Sequence, residues 1–124
     1  MKLDYVMVYV KDVPKAIAFY KKAFTLNTGY VEEDGSFATM KTGTTTLAFV
    51  DEKMSQAYKW AATKGGVKSG IEIVFAAADV PKAYRHALDS GAKALRKPAK
   101  QSWGGVQGWV LDPWGTVVQL CTPW

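Results

Sequence analysis

Apolar and polar residues alternate with a period of two along eight short segments of the chain. Such alternation is typical of a β-strand that buries one of its faces. The predicted strands lie at 3–10, 28–33, 36–41, 44–50, 71–78, 93–97, 106–111 and 116–121. Turn-forming sequences separate two strand pairs, one around Asp34 and Gly35 and one formed by Asp-Pro-Trp-Gly at 112–115.

Two other segments carry apolar residues at helical spacing. Each begins with an aspartate placed to cap a helix, Asp12 or Asp79, and a proline follows within the first turn, where its missing N–H costs little. The apolar stripes are Val13, Ala16, Ile17, Phe19, Tyr20, Ala23 and Phe24 in the first helix, and Val80, Ala83, Tyr84, Ala87 and Leu88 in the second.

The order of these elements occurs twice along the chain, as an internal repeat. Asp-Val-Pro-Lys-Ala occurs at 12–16 and again at 79–83, and each copy lies between one strand and three further strands. The repeat predicts one α+β domain over 1–124, with a βαβββ module at 1–51 and a second at 70–124. A linker at 52–69 carries a short helical piece at 54–60. We expect two curved half-barrel sheets, each with a helix on its convex side, around a concave pocket.

Composition narrows the range of functions. The chain has 124 residues and a net charge of +5, but its basic residues are scattered, which argues against a nucleic-acid partner. No apolar run approaches the roughly 20 residues of a membrane span, so we expect no membrane association. The single cysteine, Cys121, and an N-terminus that alternates from its start predict a cytoplasmic protein.

Two motifs at opposite ends of the duplicated chain resemble one known family. They are Asp-Val-Pro-Lys-Ala-Ile-Ala-Phe-Tyr at 12–20, which follows a strand, and Asp-Pro-Trp-Gly-Thr-Val-Val-Gln-Leu at 112–120. Together they resemble the vicinal oxygen chelate superfamily, which includes glyoxalase I, extradiol dioxygenases, fosfomycin resistance enzymes and bleomycin resistance proteins. The resemblance covers nearly the whole chain and implies the glyoxalase/bleomycin resistance/dioxygenase fold.

The resemblance also implies four positions for metal ligands, one on the first and one on the last strand of each module. These positions fall on Tyr5, Leu47, Glu72 and Gln119, where members typically have His, Glu or Gln. One carboxylate, one amide, one phenol and one hydrocarbon are a poor donor set for a divalent ion. We therefore expect no metal and no other cofactor.

Strand alternation sorts residues between the two faces of the sheet. If Tyr5 faces the concave side, then Leu3, Met7, Tyr9 and, from the second module, Glu72 face it too. A Gly bulge after the Asp-Pro-Trp-Gly turn pairs Trp109 with Gln119 across the last hairpin. The predicted ligand-binding set is an aromatic wall around one carboxylate: Tyr5, Met7, Tyr9, Leu47, Glu72, Trp109 and Gln119.

This wall suits a small aromatic or cationic compound, held by stacking and cation–π attraction and oriented by Glu72. Our first hypothesis is a metal-free binding protein that sequesters such a compound, with antibiotics among the candidates, as the similarity to bleomycin resistance proteins implies. We also expect a homodimer. One alternative is a glyoxalase-like lyase or isomerase, or a dioxygenase-type enzyme, using Glu72 as base with Tyr5 or an irregular metal site. Another is a structural or regulatory dimer without a ligand.

Overall fold

The residues that the structure describes fold into one eight-stranded sheet with three helices. We describe a computed structural model, in which residues 1–66 and 70–123 are placed. The elements are β1 (Lys2–Val10), α1 (Val13–Phe24), β2 (Asn27–Val31), β3 (Phe37–Lys41), β4 (Thr46–Asp51), α2 (Gln56–Thr63), β5 (Ile71–Ala76), α3 (Val80–Asp89), β6 (Lys93–Lys100), β7 (Val106–Leu111) and β8 (Val117–Cys121).

The two βαβββ modules are joined edge to edge. Across the sheet the strands follow the order β2-β3-β4-β1-β5-β8-β7-β6. Antiparallel pairing of β1 with β5 forms the seam between the modules, and each of these strands pairs in parallel with the last strand of its own module. The predicted α+β architecture is confirmed, with the two half-sheets continuous as a single curved sheet.

The first helix of each module starts where the sequence predicts. In α1 the Asp12 carboxylate accepts a hydrogen bond from the backbone N–H of Lys15 at 3.1 Å. In α3, Asp79 accepts from Lys82 at 3.1 Å. These side chains satisfy backbone donors that the first turn leaves without an intrahelical partner.

Both helices pack on the convex side of the sheet. The core between α1 and the sheet contains Val13, Ala38, Met40 and Phe49. The core between α3 and the sheet contains Ala77, Val80, Tyr84, Val110 and Leu120. The predicted stripe of α1 is wider than the face the helix buries, because Phe19 is 59% and Phe24 58% exposed. These two rings pack edge-on against each other, and both contact the ring of Tyr20.

The helix predicted in the linker is α2, and it packs on the concave side. Ser55 caps it by accepting a hydrogen bond from the N–H of Tyr58 at 3.1 Å. Ala57 and Ala61 are buried in a cluster with Leu111 and Val117. Residues 67–69 of the predicted linker, and residue 124, lie outside the described residues. In the described part of the chain no helix is long and apolar enough to cross a membrane.

The last hairpin has the predicted register. The backbone N–H of Asp112 donates to the carbonyl of Thr116 at 3.0 Å, and Gly115 has a φ of 88°, which a glycine adopts without steric cost. This bulged turn places Trp109 opposite Gln119, as the sequence predicts.

Candidate functional site

An open cavity of about 540 Å³ lies on the part of the concave face that α2 leaves uncovered. Its apolar wall consists of Tyr5, Met7, Tyr30, Phe37 and Val74. A volume of this size is typical of small-molecule sites, which are mostly apolar with a few polar groups. The cavity is therefore the main candidate site.

Strand register builds the floor of the cavity. Tyr5 of β1 pairs with Thr46 of β4 on one side and with Val74 of β5 on the other. Val74 in turn pairs with Gln119 of β8. Since directly paired residues share a face of a sheet, these four side chains form one row across the two modules.

The polar groups of the wall are hydroxyls and carboxamides. Gln107 and Gln119 contribute amide groups, and Cys121 lies beside them. The Thr39 hydroxyl oxygen accepts a hydrogen bond from the N–H of Tyr30 at 2.8 Å, which fixes the edge strand against β3. Carboxamides both donate and accept hydrogen bonds, so they suit a ligand with either kind of group.

Four wall residues come from the first module and were not in the predicted set: Tyr30, Phe37, Thr39 and Thr46. For two of them, the alternation within β3 predicts a position on the concave face. Ala38 and Met40 are buried under α1, so Phe37 and Thr39 lie on the opposite, concave face.

Three predicted ligand residues lie beneath α2 instead of on the cavity wall. The Tyr9 hydroxyl donates a hydrogen bond to Glu72 Oε1 at 2.7 Å, and the Tyr9 ring packs edge-on against Tyr58 of α2 at 4.9 Å. Trp109 packs against Trp60 of α2 at 5.4 Å between ring centroids. The alternation correctly predicted that all three residues lie on the concave face, but α2 covers the end of that face where they lie.

Burial dominates the electrostatics of this covered cluster. Glu72 is only 3% exposed, and burial raises the pKa of its carboxyl group. The hydrogen bond from Tyr9 and the nearby indole of Trp109 partly oppose that increase. The pKa of Tyr9 is raised by burial and by the charge of Glu72. Although it lies near Glu72, the buried Trp109 Nε1 makes no hydrogen bond of good geometry within the described part of the chain.

The placement predicted for Leu47 is wrong. Leu47 pairs with Val6 and packs under α1 with Phe49, so it lies on the convex side. Module symmetry identifies the residue equivalent to Gln119. Tyr5 and Glu72 occupy equivalent positions in the two modules; Tyr5 pairs with Thr46 and Glu72 pairs with Val117, so Thr46 is equivalent to Val117. Gln119 lies two residues after Val117, and the residue two after Thr46 is Ala48. Ala48 is therefore the equivalent of Gln119.

The corrected quartet at the implied metal positions is Tyr5, Ala48, Glu72 and Gln119. Ala48 supplies no donor, and the one carboxylate is buried and already accepts a hydrogen bond from Tyr9. Among the described residues, no three His, Cys, Asp or Glu side chains are grouped as metal ligands. These residues do not fit a divalent metal, which prefers several anionic or imidazole donors.

A β-bulge in β1 changes which face of the sheet the first residues of the strand lie on. Leu3 pairs with Phe75 and Tyr5 pairs with Val74, so Asp4 is an extra residue in β1. Phe75 packs toward α3, which places Leu3 on the convex face, contrary to the prediction. Such a bulge redirects a side chain.

The charge of Asp4 acts on two residues of the cavity wall. Burial, then the charge of Asp4, raises the pKa of Tyr5. The same two causes raise the pKa of Cys121 to about 11. Both wall groups are therefore protonated and neutral near pH 7.

Comparison with known proteins agrees with the fold. A family model described as the Glyoxalase/Bleomycin resistance protein/Dioxygenase superfamily matches residues 2–120. No curated protein sequence matches the chain.

Solved structures resemble the chain over nearly its whole length. One, described as an NAD-dependent benzaldehyde dehydrogenase from Legionella pneumophila, has a TM-score of 0.69 at 18% identity, covering 95% of this chain and 96% of that one. A superfamily member from Vibrio splendidus 12B01 has a TM-score of 0.69 at 13% identity, covering 98% of each chain. A Streptomyces coelicolor methylmalonyl-CoA epimerase has a TM-score of 0.66 at 23% identity, covering 98% and 96%.

At these identities, the likeness to solved structures shows the fold alone. The family model, however, spans almost every strand and helix described above. The chain belongs to the glyoxalase/bleomycin resistance protein/dioxygenase superfamily.

Proposed function

We propose that this protein binds a small aromatic compound in the cavity on its concave face. The observation that carries the proposal is the preformed cavity of about 540 Å³, whose wall includes the rings of Tyr5, Tyr30 and Phe37. Aromatic rings gain from stacking in such a pocket, while Gln107 and Gln119 supply hydrogen bonds that orient the ligand.

The chemistry of the wall favours binding over catalysis. Burial raises the pKa of Tyr5 and raises that of Cys121 to about 11, so neither is an ionised base or nucleophile near pH 7. Glu72, the base in the enzymatic alternative, is covered by α2 and accepts a hydrogen bond from Tyr9. A general base must come within hydrogen-bond reach of the substrate, and this carboxylate lies away from the cavity wall.

The proposal is tested by ligand-induced stabilisation. We expect 1-naphthylmethanol, a neutral aromatic probe, to raise the melting temperature of the protein in a saturable way. At ten times its Kd the probe stabilises the folded state by about 1.4 kcal/mol, which corresponds to a few degrees in a domain of this size.

A blocked cavity supplies the matched control. Thr46 lies on the cavity floor, whereas Thr44 is exposed just before β4. Thr46→Trp should fill the cavity and abolish the shift, and Thr44→Trp should retain it. Failure of the probe to stabilise the wild type, or equal stabilisation of the Thr46→Trp variant, would contradict the proposal.

A further inference from the structure

One buried carboxamide of the cavity wall makes no hydrogen bond to the described part of the chain. Among the described residues, the buried polar side chains are Thr39, Glu72 and Gln119. Thr39 accepts from the N–H of Tyr30, and Glu72 accepts from the hydroxyl of Tyr9. Gln119 is 5% exposed and lines the cavity, but its amide has no partner among the residues that the structure describes. Because buried polar groups are nearly always hydrogen-bonded, this amide is available to a ligand.

Strand pairing gives Gln119 a polar neighbour on the same wall. Gln119 pairs with Val74 on one side and with Trp109 on the other. Gln107 pairs with Cys121, which lies two residues after Gln119 on β8, so Gln107 is the diagonal neighbour of Gln119. The second module therefore contributes two adjacent carboxamides to the cavity.

The aromatic side chains of the wall come from the other module. Tyr30, Phe37 and Tyr5 lie on β2, β3 and β1, whereas Gln119 lies on β8, and β5 separates β1 from β8 in the sheet. A flat ligand that packs its ring against these aromatic side chains would turn its opposite edge toward Gln119.

A carboxamide is complementary to one particular kind of edge. Its oxygen accepts a hydrogen bond and its NH2 group donates one, so it forms two parallel hydrogen bonds with a group that presents an N–H beside a C=O. Lactams present that cis-amide edge. None of the described residues that line the cavity is charged, so the wall offers no counter-ion and favours a neutral ligand.

We propose that the cavity selects neutral aromatic lactams and that Gln119 recognises their cis-amide edge through paired hydrogen bonds. This inference rests on the proposed binding function and adds to it the class of ligand and the residue that specifies it. The ligand differs from the cationic compound that the sequence suggested, because Glu72, the expected counter-charge, is covered by α2.

The test compares two probes that differ in one group. 1-Isoquinolinone is a neutral aromatic lactam, and isocoumarin has the same two rings with an oxygen in place of the N–H. With isothermal titration calorimetry, we expect the wild type to bind the lactam about tenfold more tightly, since isocoumarin leaves the Gln119 oxygen without a donor. Gln119→Met keeps the length of the side chain, removes the amide and should reduce that preference to near one.

A matched variant and a second measurement keep the result interpretable. Gln56→Met makes the same replacement at the exposed start of α2 and should retain the preference for the lactam. The NH2 signals of Gln119 in a proton–nitrogen NMR spectrum of the wild type should shift when the lactam binds, and this readout does not require Gln119→Met to fold. The melting temperature of each variant verifies folding.

The outcomes separate this inference from the proposed function. If the wild type binds both probes equally, if folded Gln119→Met retains the preference, or if the Gln119 signals do not move, the role of Gln119 is refuted and the cavity still binds aromatic compounds. The same conclusion follows if 1-naphthylmethanol binds and the lactam does not. If none of the three probes binds the wild type, the proposed function itself is wrong and this inference falls with it.

Discussion

Glu72 places an ionisable carboxyl group in the core. The carboxyl group is 3% exposed, and its hydrogen bond comes from the neutral phenol of Tyr9. Because burial penalises the ionised form, the carboxyl binds a proton more readily in the folded protein than in the unfolded chain. Folding stability contributed by Glu72 is therefore complete below the pKa of the unfolded chain and is lost as the pH rises through the raised pKa of the folded state.

Replacing Glu72 tests the direction of this pH dependence of folding stability. Glu72→Gln retains an oxygen that accepts from Tyr9 and removes the ionisation. We expect the variant to melt several degrees above the wild type at about pH 8. The gap should shrink at about pH 5, because protonation of the wild-type carboxyl increases as the pH falls and relieves the cost of burying its charge. Circular dichroism melts at both pH values provide the measurement. Glu33→Gln, at an exposed position, should show little change.

The opposite result would assign Glu72 a different role. If Glu72→Gln were less stable than the wild type at the higher pH, the ionised carboxylate would be an anchor of the fold. That outcome would also show that the hydrogen bond from Tyr9 and the nearby indole of Trp109 outweigh the cost of burial.

The faces of individual residues were predictable wherever the alternation was unbroken. Tyr5, Met7 and Gln119 line the cavity as the period of two predicts. The convex placement of Leu3 was not predictable, because the bulge at Asp4 depends on how two distant strands pair. Leu47 was misplaced because the chain has two residues between Gly43 and β4 but one between Gly115 and β8. An alignment through the two glycines is thus shifted by one residue, which reverses the face of the strand.

At the level of elements, α2 determines which part of the concave face is open. It covers Tyr9 and Trp109 through Tyr58 and Trp60, and the Arg96 guanidinium lies 4.4 Å above the Trp60 ring. The sequence predicted a helix in the linker, but its docking depends on tertiary packing that local periodicity does not encode. The predicted site was therefore divided into an open cavity and a covered cluster.

A substitution at the N-terminal cap of α2 tests how much the cap stabilises this helix over Tyr9 and Trp109. The Ser55 hydroxyl oxygen accepts a hydrogen bond from the backbone N–H of Tyr58. Ser55 also acts to lower the pKa of the buried Tyr9 phenol, against the larger effects that raise it. We expect Ser55→Ala to lower the free energy of unfolding by about 1 kcal/mol, the usual cost of losing a cap. Urea denaturation followed by tryptophan fluorescence measures the loss.

Ser55→Thr should retain most of the stability, since threonine also caps helices. Ser102→Ala changes an exposed turn residue and should have little effect. Equal stability of Ser55→Ala and the wild type would show that packing alone holds α2 in place.

At the level of the whole molecule, the sheet ends at two very different strands. β6 carries Lys93, Arg96, Lys97, Lys100 and a proline, which are residues that protect an edge from pairing. β2, at the other end of the order, exposes Tyr30 by 55% and Val31 by 49%. If a second copy of the chain covers one edge, these side chains favour β2.

We therefore expect a homodimer that forms through β2, because antiparallel pairing of two β2 strands would satisfy their outer backbone groups and bury both copies of Val31. Light scattering should give about twice the 13.6 kDa mass of the chain. Val31→Lys should shift the protein to the monomer, since it would place a charged side chain at each end of the buried strand pair. Ala99→Lys, on the exposed edge of β6, should leave the dimer unchanged. A wild-type monomer at high concentration would contradict the dimer, and dissociation by Ala99→Lys alone would place the interface on β6.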